Sequence, residues 1–160
     1  LDRIDWRDLV RDLNVRAVVL DVDNTVTRPY EWHVATPALV AALEHLRSVV
    51  GAANVALLSN HAGATDDTGH VRALALERAL HMPVIRHTFK KPAPQLAALI
   101  AAHFEHRFAS NQIAFVGDRL LTDVYFANRF GMRAVLVDPI DVKCESWIVR
   151  LARRFENRLV

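Results

Sequence analysis

The fold is decided by an apolar stretch that runs into two aspartates, residues 17–27, which read Ala17-Val18-Val19-Leu20-Asp21-Val22-Asp23-Asn24-Thr25-Val26-Thr27. Four apolar residues, two of them β-branched valines, are typical of a strand buried on both faces of a parallel sheet. Asn24 and Thr25 indicate that the chain turns directly afterwards. Two carboxylates this close repel each other unless a cation or a shared proton relieves them. The stretch therefore predicts either a solvated acidic turn or a site at the carboxyl end of a central strand.

Length and composition limit the classes of protein that fit. With 160 residues, 52% of them apolar, we expect one domain covering residues 1–160. The sequence contains no run of about 18 apolar residues, so we expect no transmembrane helix. The single cysteine, Cys144, excludes an intrachain disulfide and a multi-cysteine zinc site. A net charge of +2 does not argue for a nucleic-acid partner. Because the chain begins at Leu1, we expect a processed or trimmed form.

Apolar strands alternate with helical patterns along the chain. The helical patterns begin near Trp6, Pro37, Val71, Lys90–Pro94 and Asp123, and the strands are expected at Ala17–Asp21, Asn54–Ser59, Pro83–Ile85, Ile113–Gly117 and Ala134–Val137. This βαβ spacing predicts an α/β fold: a doubly wound, mostly parallel sheet of about five strands.

Polar side chains follow each predicted strand, and a parallel sheet brings these ends to one crevice. The residues are Asp21 and Asp23 after the first strand, Ser59 and Asn60 after the second, Lys91 after the third, and Asp118 and Asp123 after the fourth. Several carboxylates without a cation would repel one another strongly, so we expect a hard, oxygen-liganded ion such as Mg²⁺. Lysine and serine beside it suit a phosphate group, and a screened aspartate can attack phosphorus.

The motif order Asp-x-Asp-x-Thr, strand-end Ser, Lys-Pro and Gly-Asp-x-x-x-x-Asp resembles the phosphatases of the haloacid dehalogenase (HAD) superfamily. The resemblance implies that Asp21 is the nucleophile, Asp23 the general acid and base, and Lys91 the neutralising cation. It further implies phosphate binding by Ser59, Asn60 and the Thr25 loop. It also implies an Mg²⁺ site in which Asp118 binds the ion directly, Asp123 binds it through water or supports its ligands, and Asp21 and the backbone carbonyl of Asp23 complete the site.

The intervals between motifs bear on substrate size. Only 37 residues separate Asp21 from Ser59, and 31 separate Ser59 from Lys91. These intervals leave no room for an inserted cap domain, so we expect an open site. An open site suits a phosphate carried on something large, such as a protein, a nucleic acid or a membrane lipid.

A narrower resemblance covers roughly residues 4–140. Asp-x-Asp-Asn-Thr-x-Thr-x-Pro-Tyr, Ser-Asn-x-Ala-Gly and Gly-Asp-Arg-Leu-Leu-Thr-Asp-Val-Tyr are similar to the mitochondrial phosphatidylglycerophosphate phosphatases of fungi and plants. Such enzymes convert phosphatidylglycerophosphate, an anionic phospholipid, to phosphatidylglycerol, the step before cardiolipin, on the matrix side of the inner membrane. Val22 departs from the lysine of many eukaryotic members, and His61 from a smaller residue.

Other residues allow two interpretations. Arg28, Arg119 and Arg129 could bind a second phosphate or an anionic lipid, or form ordinary surface salt bridges. His103 and His106 could pair as metal ligands, although a surface helix face explains their spacing better. The basic amphipathic stretch at residues 147–160 suits a peripheral membrane contact, packing on the sheet, or a contact in a homo-oligomer.

Two further functions stay open beside the lipid phosphatase. One is a soluble phosphatase for a sugar phosphate, a protein or a nucleic-acid end. The other is a non-catalytic scaffold, against which the intact aspartates and Lys91 argue.

Overall fold

The structure, a computed structural model, describes residues 1–141. It contains the helices α1 (Trp6–Asp12), α2 (Pro37–Val50), α3 (Val71–Leu80), α4 (Gln95–His103) and α5 (Tyr125–Arg129), and the strands β1 (Ala17–Leu20), β2 (Val55–Leu57), β3 (Ile113–Gly117) and β4 (Arg133–Leu136). The predicted amphipathic stretch at 147–160 lies outside the described residues.

The four strands form one parallel sheet in the order β2-β1-β3-β4. The central strand β1 is fully buried, as its apolar run predicts. Its alternate residues enter two different cores: Val18 and Leu20 pack on one face of the sheet, and Ala17 and Val19 on the other. The α/β class and the parallel sheet are therefore confirmed.

The predicted count of about five strands is slightly too high. Pro83–Ile85 forms a single bridge between Val84 and Leu57 instead of a strand. Leu57 N donates to Pro83 O, and Ile85 N donates to Leu57 O, both at 2.8 Å. After these two bonds the chain leaves the sheet toward Lys91, so no ladder extends.

Local signals set the helix ends. The Asp5 carboxylate accepts hydrogen bonds from the amides of the first turn of α1, and Thr36 Oγ1 accepts from Leu39 N at the start of α2. Gly51, at φ 90°, ends α2.

Two helices begin later than predicted. Lys91 lies in the loop before α4, which starts at Gln95, because two prolines lie in that approach. Asp123 lies inside a π-helical turn, Leu120–Val124, that leads into α5.

The loops after the strands define the site edge. Between Asp21 and Ser59 the chain forms a loop, α2, a 3-10 turn and β2. Between Ser59 and Lys91 it forms a polar loop, α3 and the bridge at Val84. Neither interval carries an inserted domain, as their lengths predict.

Candidate active site

The site is built around Lys91, whose ammonium group is almost completely buried. Lys91 Nζ contacts Asp21 Oδ1 and lies 2.7 Å from Asp123 Oδ1. Burial alone would lower the pKa of Lys91, but the carboxylates of Asp123 and Asp21 outweigh it and raise that pKa above its ordinary value. Lys91 is therefore a fixed positive charge between two carboxylates.

Three buried aspartates meet at this point. Carboxylate oxygens of Asp21, Asp118 and Asp123 all lie within 4.8 Å of one another. Burial raises the pKa of the Asp21 carboxyl to about 8, and Lys91 opposes that rise. The neighbouring carboxylates of Asp123 and Asp118 add to it. Among residues 1–141, this is the one group of three or more ligand-type side chains close enough to share an ion.

These aspartates fit a divalent cation. One lysine cannot balance three ionised carboxylates. Burial is the main cause of the raised pKa of Asp21, and the neighbouring carboxylates of Asp123 and Asp118 add to it. The donors are all carboxylate oxygens, which hard cations such as Mg²⁺ prefer. A cation there would favour the ionised Asp21. Asp23 is not one of these three aspartates, and the binding of Mg²⁺ by its backbone carbonyl stays a prediction.

A glycine allows Asp123 to lie against the end of β3. A Cβ atom added at Gly117 would stand 2.4 Å from the Asp123 carboxyl carbon. The π-helical turn then holds the carboxylate, because Arg119 N donates to Asp123 Oδ2 at 3.1 Å. The Gly-Asp-x-x-x-x-Asp spacing therefore has a steric basis in this chain.

The turn after β1 orients the first two aspartates. Asn24 adopts a left-handed conformation, with φ 64°, so the chain turns where the sequence predicts. Thr25 Oγ1 donates to Asp21 Oδ2 at 3.4 Å, and Tyr30 N donates to Asp23 Oδ1 at 3.1 Å. Thr25 thus contacts the carboxylate of Asp21.

The loop after β2 brings Ser59 and Asn60 to the same edge. Ser59 Oγ accepts from His61 N at 3.0 Å and from Ala62 N at 3.1 Å. Asn60 Oδ1 accepts from Lys91 N at 2.7 Å, which ties the second motif to the third. The Ser59 hydroxyl proton and the Asn60 amide group are the donors that these side chains can offer.

Two supporting residues were missed by the sequence reasoning. The buried Asp67 carboxylate accepts from the backbone of Gly63, Arg72 and Ala73, at 2.9–3.0 Å. Although burial acts to raise the pKa of Asp67, these hydrogen bonds outweigh it and lower that pKa. His87 Nε2 lies 2.7 Å from Ser59 O. Asp67 precedes the helical pattern that begins near Val71, and this position could have indicated a carboxylate that accepts from amides of the first helical turn.

A pocket of about 90 Å³ opens over the aspartates. Asp23, Tyr30, Asn60, His61, Arg119 and Thr122 line it together with Asp21, Lys91, Asp118 and Asp123. Of the three arginines predicted either to bind a phosphate or lipid or to form surface salt bridges, Arg119 lines the pocket. Arg28 pairs with Glu31 at 3.9 Å, and Arg129 lies over the rings of Tyr125 and Phe130.

The same fold occurs in solved structures. An HAD phosphatase from Thermococcus onnurineus superposes with a TM-score of 0.55, at 16% identity over 83% of this chain and 90% of the other. The parallel sheet and the placement of the aspartates at its edge define an HAD-like fold.

The comparison with protein families identifies a narrower group of proteins than the comparison of folds does. The model of the mitochondrial PGP phosphatase family matches residues 1–141, so the chain belongs to that family. It is 39% identical over 158 residues to a phosphatidylglycerophosphate phosphatase 1, chloroplastic/mitochondrial, of Arabidopsis thaliana, covering 98% of this chain and 44% of the plant protein. It is 41% identical over 155 residues to a chloroplastic counterpart of Chlamydomonas reinhardtii, covering 96% and 55%. The chain spans about half the length of these curated relatives.

Proposed function

We propose that the chain is a Mg²⁺-dependent phosphomonoesterase that converts phosphatidylglycerophosphate to phosphatidylglycerol. The observation that carries the proposal is the buried cluster of Asp21, Asp118 and Asp123 around Lys91. Membership of the mitochondrial PGP phosphatase family supports this choice of substrate. A Lys91 that neutralises two carboxylates suits a site that must accept a phosphate dianion.

In the proposed reaction, Asp21 attacks the phosphorus of the terminal phosphomonoester. The bond from phosphorus to the glycerol oxygen breaks, and Asp23 gives its proton to that oxygen, releasing phosphatidylglycerol. The phosphoryl group is then bound to Asp21 as an acyl phosphate. Asp23, now ionised, takes a proton from a water molecule that attacks phosphorus. Inorganic phosphate leaves and the Asp21 carboxylate is restored.

The neighbouring side chains have distinct proposed tasks. Thr25 holds the Asp21 carboxylate in position, because its hydroxyl contacts Oδ2. Ser59 donates its hydroxyl hydrogen and Asn60 its side-chain NH₂ group to phosphoryl oxygens, because the Ser59 Oγ and Asn60 Oδ1 atoms already accept from backbone amides. Lys91 neutralises charge on Asp21 and on the transferred phosphoryl group.

The proposed Mg²⁺ ligands are Asp21, Asp118, Asp123 and the backbone carbonyl of Asp23. When bound, the ion would supply positive charge to the nucleophile and to the phosphoryl oxygens. It would also keep Asp21 ionised near neutral pH, since the pKa of that carboxyl is otherwise raised to about 8.

Arg119 is the proposed contact for the second phosphate of the lipid, the diester that links glycerol to the acyl-bearing backbone. It lines the pocket beside the aspartates, and its charge complements a phosphodiester. Losing one charge-assisted hydrogen bond costs about 1.5–3 kcal/mol. Arg119→Ala should therefore lower kcat/KM for phosphatidylglycerophosphate by about tenfold or more.

A comparison of substrates tests the Arg119 assignment. Turnover of p-nitrophenyl phosphate, which has no second phosphate, should change far less in Arg119→Ala. Arg11→Ala is the matched control, because Arg11 pairs with Asp8 and Asp12 on α1 and does not line the pocket. Equal losses on both substrates would contradict the assignment.

The proposed location is the matrix side of the mitochondrial inner membrane, with the protein bound peripherally. The plant relative is named as a chloroplastic and mitochondrial enzyme. In residues 1–141, no helix has the length and apolar character needed to cross a bilayer.

A substrate panel tests the proposed function. Phosphate release is measured from phosphatidylglycerophosphate in mixed micelles, from glycerol 3-phosphate, from a phosphopeptide and from a 3′-phosphorylated oligonucleotide, with Asp21→Asn as the blank. We expect the lipid to give the highest kcat/KM and both the variant and a chelator to abolish release. A higher kcat/KM for a soluble phosphate would favour a soluble phosphatase. Unchanged release by Asp21→Asn would exclude this active site.

A further inference from the structure

The exposed Phe, Tyr and Trp side chains of residues 1–141 all belong to segments that follow β1, the bridge at Val84 or β3. They are Tyr30, Trp32, Phe89 and Tyr125, exposed by 65%, 47%, 37% and 48%. We call these four residues the aromatic rim. Trp6, Phe104, Phe115 and Phe126, by contrast, are buried in the two cores. The other large exposed apolar side chains are aliphatic and lie on helices or helix ends, on the π-helical turn and on β4, namely Leu13, Val40, Val71, Leu74, Leu121 and Leu136.

In the sequence, the residues of the aromatic rim are close to residues of the candidate site. Tyr30 and Trp32 lie on the loop after β1, and Phe89 lies two residues before Lys91. Tyr125 begins α5, directly after the turn that carries Asp123. The segments after β1 and β3 lie at one edge of the sheet because the strands are parallel. The segment of Phe89 reaches the same edge, because Lys91 contacts Asp21 and Asp123 there. Tyr30 also lines the pocket, with its ring 6.0 Å from that of His61.

A cation accompanies each part of the rim. Arg28 precedes Tyr30 by two residues, Lys90 follows Phe89, and the Arg129 guanidinium lies 5.9 Å from the centre of the Tyr125 ring. The Arg28 and Lys90 side chains are exposed by 46% and 58%. Tyrosine and tryptophan favour the boundary between lipid headgroups and acyl chains, and nearby cations attract anionic headgroups.

We infer that the aromatic rim and its adjoining cations dock the protein on an anionic phospholipid bilayer, with the site facing the membrane. Four exposed aromatic side chains that the cores do not use are costly in water, and burial in the interface recovers that cost. Docking would also bring the pocket to a phosphate carried on a lipid headgroup. The choice of a bilayer rests on the proposed function.

Vesicle flotation of the full chain tests the inference. Binding is measured to phosphatidylglycerol–phosphatidylcholine vesicles and to phosphatidylcholine vesicles, for the unmodified chain and for Phe89→Ser/Tyr125→Ser. These substitutions remove apolar surface without changing charge, and neither side chain lines the pocket over the aspartates or the groove beside it. The matched control is Leu13→Ser/Leu74→Ser, two side chains exposed by 40% and 41% and outside the rim. Hydrolysis of p-nitrophenyl phosphate without lipid reports that each variant is folded.

We expect the unmodified chain and the control to bind the anionic vesicles, and the rim variant to bind at least about tenfold more weakly. Turnover of p-nitrophenyl phosphate should be unchanged in both variants. Equal binding by the rim variant would overturn the inference and leave docking to residues outside 1–141. Absence of vesicle binding by the unmodified chain, or an equal loss in the control, would also overturn it. Because flotation needs no turnover, a chain that binds vesicles but does not hydrolyse the lipid would contradict only the proposed function.

Discussion

Two adjacent lysines provide a matched pair for testing the charge balance of the site. The Lys91 side chain is 2% exposed and pairs with Asp21 and Asp123. The Lys90 side chain is 58% exposed and pairs with the exposed Asp66 at 3.2 Å. Methionine at either position keeps the length of the side chain and removes the charge. Only Lys91→Met would leave the buried carboxylates of Asp21 and Asp123 without their cationic partner.

The expected cost follows from burial. Removing one partner of a buried ion pair costs about 3–5 kcal/mol, because the remaining charges stay desolvated. For a domain of this size each kcal/mol lowers Tm by about 2–4 °C, so Lys91→Met should lower Tm by about 6–20 °C in chelator. Lys90→Met should barely change Tm, because water and salt screen an exposed pair.

Thermal unfolding followed by circular dichroism at pH 8, with and without Mg²⁺, measures both variants. Mg²⁺ should raise the Tm of Lys91→Met, because the cation compensates the same carboxylates. A Lys91→Met variant that melts within about 2 °C of Lys90→Met in chelator would refute the reasoning, since the buried carboxylates would then need no partner.

Three more predictions concern the same cluster. In chelator, the free energy of unfolding of the unmodified chain, relative to that of Asp21→Asn, should fall as pH rises from about 4 to 8. The reason is that the raised pKa of Asp21 lets the folded state hold a proton that the unfolded state has released. Urea titrations of both chains at several pH values measure this difference, and parallel stability curves would contradict the prediction. Chelation should abolish phosphate release and lower Tm, and added Mg²⁺ should restore both; full activity in chelator would exclude the metal assignment. Gly117→Ala should lower activity and stability, since its Cβ would stand 2.4 Å from the Asp123 carboxyl carbon; Mg²⁺-dependent turnover equal to that of the unmodified chain would contradict this steric role.

Local sequence signals were sufficient for the central strand and for the residues at its end. Four consecutive apolar residues place β1 between two cores, and Asn24 accepts the left-handed conformation that the turn requires. The capping residues Asp5 and Thr36 lie where their helices begin. In these places the backbone preference, the burial pattern and the tertiary structure agree, which is why sequence reasoning succeeds.

Tertiary context explains what local signals could not give. Pro83–Ile85 has the apolar character of a strand, yet only one bridge forms because the chain must leave the sheet to deliver Lys91. The pairing of Lys91 with Asp123 as well as Asp21 joins residues from three loops, and no spacing in the sequence encodes that distance. The capping role of Asp67 likewise depends on backbone amides gathered from a loop and a helix.

The most direct test is to trap the phosphorylated enzyme. The chain is mixed with phosphatidylglycerophosphate and Mg²⁺, quenched in acid within one turnover, digested and examined by mass spectrometry, with Asp21→Asn as the control. We expect one phosphoryl group on the peptide that contains Asp21, formed and lost at rates that match phosphate release, and none in the control. Steady release of phosphate with no phosphoryl group on Asp21 at any quench time would contradict nucleophilic attack by this residue.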